Sequence, residues 1–245
     1  MKQLFSPPSA PWRGKISGAE DFVPVFAVTG FLGAGKTTLL NRLLRSRLDA
    51  GVNLRCILFE EGEEDLSAHL QGLNPLILPI GEVQRDPAAA SQKIYRYLLE
   101  QNPEQLDELW VEWNGMLPVR DLLALFPAAG REVTMTAGDF CHIQKILHAA
   151  DGEELERLLG GAGAALTDQL AGCDLIVLRN ARGREFHRLR RLLRGLNRGV
   201  SVLREENFQG LEKALQKPRA APNVFFFLGL LYFVAAYLLL RLLLG

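Results

Sequence analysis

The sequence predicts an α/β fold in which a mainly parallel β-sheet carries helices on both faces. Short apolar segments typical of buried strands alternate with segments whose apolar residues recur at helical spacing, from about residue 22 to residue 208. Parallel strands need crossover connections, and helices usually supply them on both faces of the sheet. A glycine-rich turn joins the first strand to the first helix. A long uncharged apolar segment near the C-terminus predicts one separate transmembrane helix.

The first strand, the glycine-rich turn and the first helix are the most informative part of the chain. Residues 23–29 predict a strand, and leucines at helical spacing predict a helix over 38–45. Between them, residues 30–38 read GFLGAGKTT, which fits the P-loop pattern G-x-x-x-x-G-K-[ST]. Backbone N–H groups of such a loop, together with the N-terminus of the following helix, surround phosphate groups. We therefore predict a P-loop NTPase fold, with nucleotide ligands Gly30, Gly33, Ala34, Gly35, Lys36, Thr37 and Thr38. Within this loop Lys36 is expected to act in catalysis at the β- and γ-phosphates, and the Thr37 hydroxyl is expected to bind Mg²⁺.

The remaining elements alternate along the chain. We predict further strands at 53–59, 75–80, 106–112, 132–137, 173–178 and 199–203. We predict helices at 87–101, 117–126, 140–149, 153–159 and 185–196. Pro79 indicates that its strand ends there or lies at a sheet edge, and Pro118 is expected in the first turn of its helix. The P-loop nucleotide-binding domain is thus predicted over residues 22–208, after a flexible leader over 1–21.

Composition and charge narrow the function classes. The 245 residues include 28 Lys and Arg and 28 Asp and Glu, so the chain has no net charge and we expect no nucleic-acid partner. The three cysteines lie far apart without a C-x-x-C pair, which favours buried thiols in a reducing cytosol over disulfides. The leader lacks the apolar core of a signal peptide.

The segment from Val224 to Leu240 is uncharged and almost wholly apolar. About 20 helical residues cross a hydrocarbon core of ~30 Å, so we predict a transmembrane helix over 224–244 after a linker over 209–223. The alternative is a buried core helix, but such a helix would show a polar face. Basic residues before the segment favour a single-pass protein of the cell membrane whose soluble domain lies in the cytoplasm.

Acidic residues follow two of the predicted strands, where a P-loop NTPase needs them. Glu112 ends the strand over 106–112 and is expected to act in catalysis and to bind Mg²⁺, while the backbone of Gly115 is expected to contact the γ-phosphate. Five acids lie between 60 and 65, among which we expect Glu60 and Glu63 to bind a hard metal ion through oxygen. The alternative for this cluster is a solvated acidic loop without a ligand.

The segment 182–198 interleaves arginines with leucines and one phenylalanine. One interpretation is a crossover helix with an ordinary solvated face. The other is a surface that contacts anionic lipid, because the predicted transmembrane helix keeps the domain close to a membrane.

These motifs together resemble the CobW-like branch of P-loop GTPases, a family that includes metallochaperones. The family's motifs are similar to GFLGAGKTTLLN at 30–41, EEGE at 60–63 and VEWNG at 111–115, and the resemblance covers residues 23–205. It implies that the P-loop residues bind phosphates and Mg²⁺, that Glu112 serves hydrolysis, and that GTP is preferred to ATP.

Three features depart from the family. Its C-x-C-C thiolate motif would fall near residues 80–84, which contain no cysteine, so soft-metal transfer by that route is not expected. Its guanine-reading N-K-x-D is replaced by RNAR at 179–182, in which only Asn180 remains as a base ligand, and Arg182 cannot accept a hydrogen bond. The predicted transmembrane helix stands in place of the family's C-terminal domain. The chain therefore resembles a divergent membrane-anchored branch, with a permease as an expected partner.

Three functions remain open at this point. The first is Mg²⁺-dependent binding and hydrolysis of GTP or ATP at the membrane, coupled to metal homeostasis or to a permease. The second is a regulatory subunit that binds nucleotide, hydrolyses it slowly or not at all, and gates a membrane transporter. The third is a small-molecule kinase, which the Glu-x-x-Gly element at 112–115 disfavours.

Overall fold

A computed structural model describes residues 22–59, 72–100, 105–128, 134–161, 163–217 and 219. In these residues seven strands form one sheet in the order β3-β2-β4-β1-β5-β6-β7, and every neighbouring pair is parallel. The strands are β1 (Val23–Thr29), β2 (Leu54–Leu58), β3 (Leu76–Ile77), β4 (Glu108–Glu112), β5 (Cys141–Asp151), β6 (Leu175–Arg179) and β7 (Ser201–Arg204). The helices are α1 (Lys36–Asp49), α2 (Ile80–Arg85), α3 (Pro87–Glu100), α4 (Val119–Ala124), α5 (Gly152–Gly161), α6 (Gly163–Gly172), α7 (Gly183–Leu196) and α8 (Phe208–Leu215).

The sheet separates two hydrophobic clusters, one on each face. Every residue of the central strand β1 is buried, because β4 and β5 flank it and helices cover both sides. Alternate residues of the strands point to opposite faces. Leucines of α1 and α8 pack on one face, and apolar residues of α3 to α7 pack on the other. The predicted parallel sheet with helices on both faces is confirmed.

The segment predicted as a helix over 140–149 is instead β5, which lies between β1 and β6. Its Gln144, Lys145 and His148 are all less than a tenth exposed, and these polar residues obscured the strand pattern. The strand predicted over 132–137 is also wrong in its described part, because residues 137–139 form a short 3₁₀ helix capped by Thr136. A central strand receives its stabilisation from two neighbours, which local sequence does not reveal.

Three helices were not predicted. Helix α2 follows Pro79, so this proline precedes a helix after the edge strand β3. Helix α6 occupies 163–172, between two segments that were predicted correctly. Helix α8 begins at Phe208 and buries Leu211 and Leu215, so the packed part of the domain continues into the predicted linker over 209–223. Pro118 occupies the N-cap position of α4. It therefore lies one residue before the helix begins and not in the first turn, where it was expected.

The predicted leader over 1–21 and the predicted transmembrane helix over 224–244 lie outside the described residues. None of the helices that the structure describes is both long enough and apolar enough to cross a bilayer. The three cysteines are buried and free, as expected, and burial raises the pKa of each thiol.

Candidate functional site

The loop between β1 and α1 has the backbone of a phosphate-binding turn. Gly30, Gly33 and Gly35 have φ angles of 146°, 73° and 84°, a region that residues with a side chain rarely adopt. Gly35 caps the N-terminus of α1, and the N–H of Ala34 donates to the carbonyl of Phe31 at 3.1 Å. The glycines therefore let the chain reverse within six residues and direct the N-terminus of α1 towards the loop.

This loop is held between its neighbours by close backbone contacts. A Cβ atom on Gly30 would lie less than 3.0 Å from the carbonyl oxygen of Ala149 in β5. A Cβ atom on Gly115, in the turn after β4, would lie less than 3.0 Å from the carbonyl oxygen of Gly30. Gly115 was expected to offer its N–H to a γ-phosphate, and the structure brings its backbone against the P-loop. A steric requirement for glycine is an additional role that the sequence did not indicate.

A hydroxyl and a carboxylate meet at the start of α1. Thr37 Oγ1 donates to Glu112 Oε1 at 2.7 Å, and Glu112 is placed there because Val28 and Glu112 are paired at the ends of β1 and β4. Lys36 and Glu112 are 8% and 7% exposed, so both charged groups lie within the protein beside the loop. Two neighbouring oxygen donors suit a hard cation such as Mg²⁺. The residues present therefore fit the expected ion.

A buried glutamine of α6 braces the same region. Gln169 is fully buried, and its Oε1 accepts from Thr29 Oγ1 at 3.2 Å. Its Nε2 donates to the carbonyls of Leu117 at 2.8 Å and Asn114 at 3.3 Å. Gln169 thereby ties the ends of β1 and β4 together directly behind the P-loop. Gln169 was not predicted as a site residue, because α6 was not predicted.

On the other side of the loop, Arg179 bridges the P-loop and β5. Its Nη2 donates to the carbonyl of Gly33 at 3.0 Å, and its Nε donates to Asp151 Oδ2 at 3.0 Å. The side chain also lies over Gly35, where an added Cβ would be 2.9 Å from Nη1. Arg179 and Asp151 were not predicted as site residues. The only signal in the sequence was their position at the ends of two predicted elements.

Asn180 was predicted to bind the nucleotide base. In the structure it has a left-handed backbone, with φ 54°, and its Nδ2 donates to Asp151 Oδ2 at 2.8 Å. Burial opposes ionisation of Asp151, but hydrogen bonds from Asn180 and Arg179 outweigh it and lower the pKa of this carboxyl. Asp151 at the end of β5, Arg179 at the end of β6 and Asn180 directly after it therefore form a charged Arg–Asp–Asn group beside the P-loop.

A buried histidine lies behind the P-loop. His148 is 1% exposed, and its Nδ1 has no hydrogen-bond partner among the described residues. Burial, together with the charge of Lys36, lowers the pKa of His148 to about 3, so the ring is neutral at physiological pH. It lines a cavity of about 270 Å³ between the P-loop, the end of β5 and α5, with Phe31 and Leu155 among the apolar walls.

Glu60 and Glu63, the other expected metal ligands, lie outside the described residues. In the described parts of the chain, no three His, Cys, Asp or Glu side chains form a cluster suited to a metal ion. The expected Mg²⁺ ligands that the structure does place are Thr37 and Glu112.

Solved structures of other proteins resemble this chain in fold. Crystal structures of HypB match most of the chain: the Helicobacter pylori protein in complex with nickel has 14% identity, covers 83% of this chain and 92% of its own, and gives a TM-score of 0.52. The Archaeoglobus fulgidus hydrogenase maturation factor HypB has 17% identity, covers 80% and 89%, and gives 0.46. The signal recognition particle receptor FtsY of Elizabethkingia anophelis has 16% identity, covers 68% and 53%, and gives 0.44.

The match to the H. pylori protein supports the fold alone, because its identity is low. A family match is more specific. Residues 24–182, more than half of the chain, match the nucleotide-binding domain family CobW/HypB/UreG. That range begins in β1 and ends two residues after Asn180, so it includes the P-loop, Glu112 and the Arg–Asp–Asn group. The chain therefore belongs to the CobW/HypB/UreG nucleotide-binding domain family.

Proposed function

We propose that this protein is a membrane-anchored, Mg²⁺-dependent nucleoside triphosphatase with GTP as its preferred substrate. The observation that carries the proposal is the 2.7 Å hydrogen bond between Thr37 and Glu112 at the mouth of the P-loop. A hydroxyl and a carboxylate at this point are the two protein groups that a Mg²⁺-nucleotide requires in P-loop enzymes. The family match supports nucleotide binding. Hydrolysis of the bound nucleotide is the further step that we propose.

Each residue has a distinct task in this proposal. The loop N–H groups and the N-terminus of α1 bind the phosphate oxygens. Lys36 neutralises charge that develops on the β- and γ-phosphates. Thr37 and Glu112 would hold Mg²⁺, which would neutralise charge at the phosphate oxygens. Glu112 would also orient the attacking water. Since Lys36 and Glu112 are largely buried, their electrostatic effects are stronger than they would be in water.

The preference for GTP over ATP rests on the family. The loop after β6 reads Arg179, Asn180, Ala181 and Arg182, and it lacks the carboxylate that would accept hydrogen bonds from guanine. Asp151, at the end of β5, does contact this loop, but Arg179, Asn180 and the N–H of Glu153 already donate to it. Guanine selection by this site is therefore weaker than in a GTPase with an intact motif.

Membrane attachment and coupling are further parts of the proposal. The apolar segment Val224–Leu240 is long enough to cross a bilayer and supports a single-pass protein with its P-loop domain in the cytoplasm. The family includes metallochaperones, but the cysteine-free segment 80–84 and the predicted span favour coupling to a permease over direct delivery of a soft metal.

A regulatory subunit that binds nucleotide without productive turnover is the second candidate. The Arg–Asp–Asn group favours it, because Arg179 already holds the loop and could stabilise it with or without substrate. Thr37 and Glu112 favour the enzyme. Turnover by the purified full-length chain, alone and after reconstitution with membrane fractions, separates the two.

The decisive experiment is equilibrium binding of GTP, ATP and GDP to the full-length protein in detergent with Mg²⁺, followed by phosphate release. We expect Lys36→Ala to abolish binding, because Lys36 is the only basic residue of the loop sequence 30–38 and supplies its positive charge to the phosphates. Lys93→Ala, on the exposed face of α3, is the matched control and should bind as the wild type does. Retained affinity and turnover in Lys36→Ala would refute the assignment of the P-loop as the nucleotide site. Equal, tight ATP binding would overturn the preference for GTP.

A further inference from the structure

The outer surface of α7 has an unusual combination of charge and exposed apolar groups. Leu189 and Leu193 face the core, whereas Leu192 and Leu196 are 37% and 43% exposed at the edge of that buried stripe. Exposed arginines lie farther round the outer surface on the second half of the helix, and one more follows two residues after its end. We call this surface the basic–leucine face, and it consists of Arg191, Leu192, Arg194, Leu196 and Arg198.

The charges of this face are not balanced by the domain. Arg188, one turn earlier, forms an ion pair with Glu156 at 3.1 Å. Within the described parts of the chain, no acidic side chain forms such a pair with Arg191, Arg194 or Arg198. Closely spaced like charges on one helix repel one another by a few tenths of a kcal/mol per pair. An anionic partner would therefore relieve the electrostatic repulsion within this face.

The basic–leucine face lies close to the point where the chain leaves the described domain. The end of α7 is tied to the segment before β6, because Asn197 Nδ2 donates to the carbonyls of Leu170 at 3.1 Å and Cys173 at 2.8 Å. Arg219 attaches to the same segment through Asp174 Oδ1 at 3.1 Å. The chain thus leaves the described domain beside the end of α7.

Only four residues separate Arg219 from the apolar segment that begins at Val224. Five extended steps of the chain reach about 17 Å at most. If that segment crosses a bilayer, Arg219 lies within this distance of its first residue, and the end of α7 lies beside Arg219 on the same side of the domain. Exposed lysines at 213 and 217 add further positive charge near the exit point. Arginines around exposed leucines are suited to bind headgroup phosphates while the leucines enter the interface.

We infer that the basic–leucine face is a docking surface for anionic lipid, and this inference rests on the membrane anchoring proposed above. It also sets the orientation of the domain. Segment 170–174 precedes β6, at the amino ends of the parallel strands, whereas the P-loop follows the carboxyl end of β1. Strands of five to seven residues are about 20 Å long. Docking therefore directs the nucleotide site away from the bilayer, where a partner or substrate reaches it.

The test uses the full-length chain reconstituted in vesicles. Gly195→Cys places a thiol on α7, where an added Cβ meets no atom within 4 Å, and Gly81→Cys provides an equally open control on α2. The three native cysteines are buried, so a bimane probe labels the introduced thiol selectively. With brominated lipids in mixed phosphatidylcholine and phosphatidylglycerol vesicles, we expect several-fold stronger quenching at 195 than at 81. In pure phosphatidylcholine this difference should largely disappear.

A charge-reversal variant tests the arginines. Arg191→Glu, Arg194→Glu and Arg198→Glu together should lower the equilibrium constant for contact between α7 and the anionic bilayer by at least about 100-fold, at roughly fivefold per basic residue. Arg85→Glu, Arg96→Glu and Arg120→Glu make the same change in net charge at exposed positions of α2, α3 and α4, and should leave quenching at 195 unchanged. Equal loss in both variants would overturn a specific role for α7.

Anchoring and docking fail in different ways. Flotation with pure phosphatidylcholine vesicles in high salt reports the transmembrane segment alone, and its absence would overturn the anchoring proposal. A chain that floats but shows no quenching at 195 in anionic vesicles would overturn the docking surface. An RNA duplex that changes the bimane fluorescence at 195 as much as the anionic vesicles do would assign the face to nucleic acid. That result would also overturn the inference.

Discussion

Replacing Gly115 by alanine tests whether the turn after β4 shapes the P-loop. The added Cβ would lie less than 3.0 Å from the carbonyl oxygen of Gly30, 3.0 Å from its carbonyl carbon and 3.2 Å from the Cα of Phe31. All three atoms belong to the backbone, so no side chain can rotate away. Gly30 cannot retreat either, because its own Cα faces the carbonyl of Ala149 at a distance that admits no Cβ.

The magnitude follows from these contacts. Overpacking of this kind costs about 1–3 kcal/mol. For a domain of this size that corresponds to a fall of roughly 2–12 °C in Tm. If the strain is relieved by displacing the loop, nucleotide affinity falls by about 5- to 150-fold, since 1.4 kcal/mol is a factor of ten. The measurements are thermal unfolding with and without Mg²⁺-nucleotide, and equilibrium binding of a fluorescent GTP analogue.

Gly195→Ala is the matched control. It introduces the same methyl group into the last turn of α7, where no atom lies within 4 Å of the new Cβ. Alanine is a better helix former than glycine, so this variant should be as stable as the wild type or slightly more so. If Gly115→Ala keeps both the wild-type Tm and the wild-type affinity, the close approach of the two backbones does not position the P-loop and this reasoning is refuted.

The other predictions concern the ligands and two buried groups. Thr37→Ala should remove most of the Mg²⁺-dependent part of nucleotide affinity, and Glu112→Gln should lower turnover by about 10²–10⁴-fold while nucleotide still binds, as measured with and without Mg²⁺. Arg179→Ala should weaken nucleotide binding about fivefold, a value discounted because this side chain is 36% exposed, whereas Arg184→Ala should have no effect. The folded-state pKa of His148 is about 3, below its ordinary 6.5, so the folded state resists protonation and its stability falls as pH drops below 6.5. Urea unfolding at pH 7, 6 and 5 should show a loss approaching about 1.4 kcal/mol per pH unit that His148→Gln largely removes, and an unchanged slope would contradict a neutral buried ring.

Local sequence was enough for the P-loop because every determinant lies within one strand–turn–helix unit. The glycines, Lys36 and Thr37 are adjacent in the chain, and their spacing is set by the turn itself. Glu112 could also be predicted, since it ends a strongly apolar strand and the carboxyl ends of parallel strands meet at one edge of the sheet.

The supporting residues could not be predicted in this way. Gln169 acts from a helix that follows β5, and Arg179 reaches the P-loop from a strand that lies 146 residues after Gly33. His148 belongs to a strand that its own polar residues disguised as a helix. Their roles depend on which strands become neighbours, and strand order is a property of long-range pairing.

By itself, the sequence determined the glycine-rich P-loop turn, the parallel α/β class and the placement of Glu112 at the end of a strand near it. Those features follow from backbone conformation and from hydrophobic periodicity, which act over a few residues. Only the tertiary structure decided that Gly115 and Ala149 confine Gly30, and that Arg179 donates to the carbonyl of Gly33 in the P-loop. It also decided that α7 ends beside the exit of the chain. These are contacts between distant segments, and they exist only once the sheet has assembled around β1.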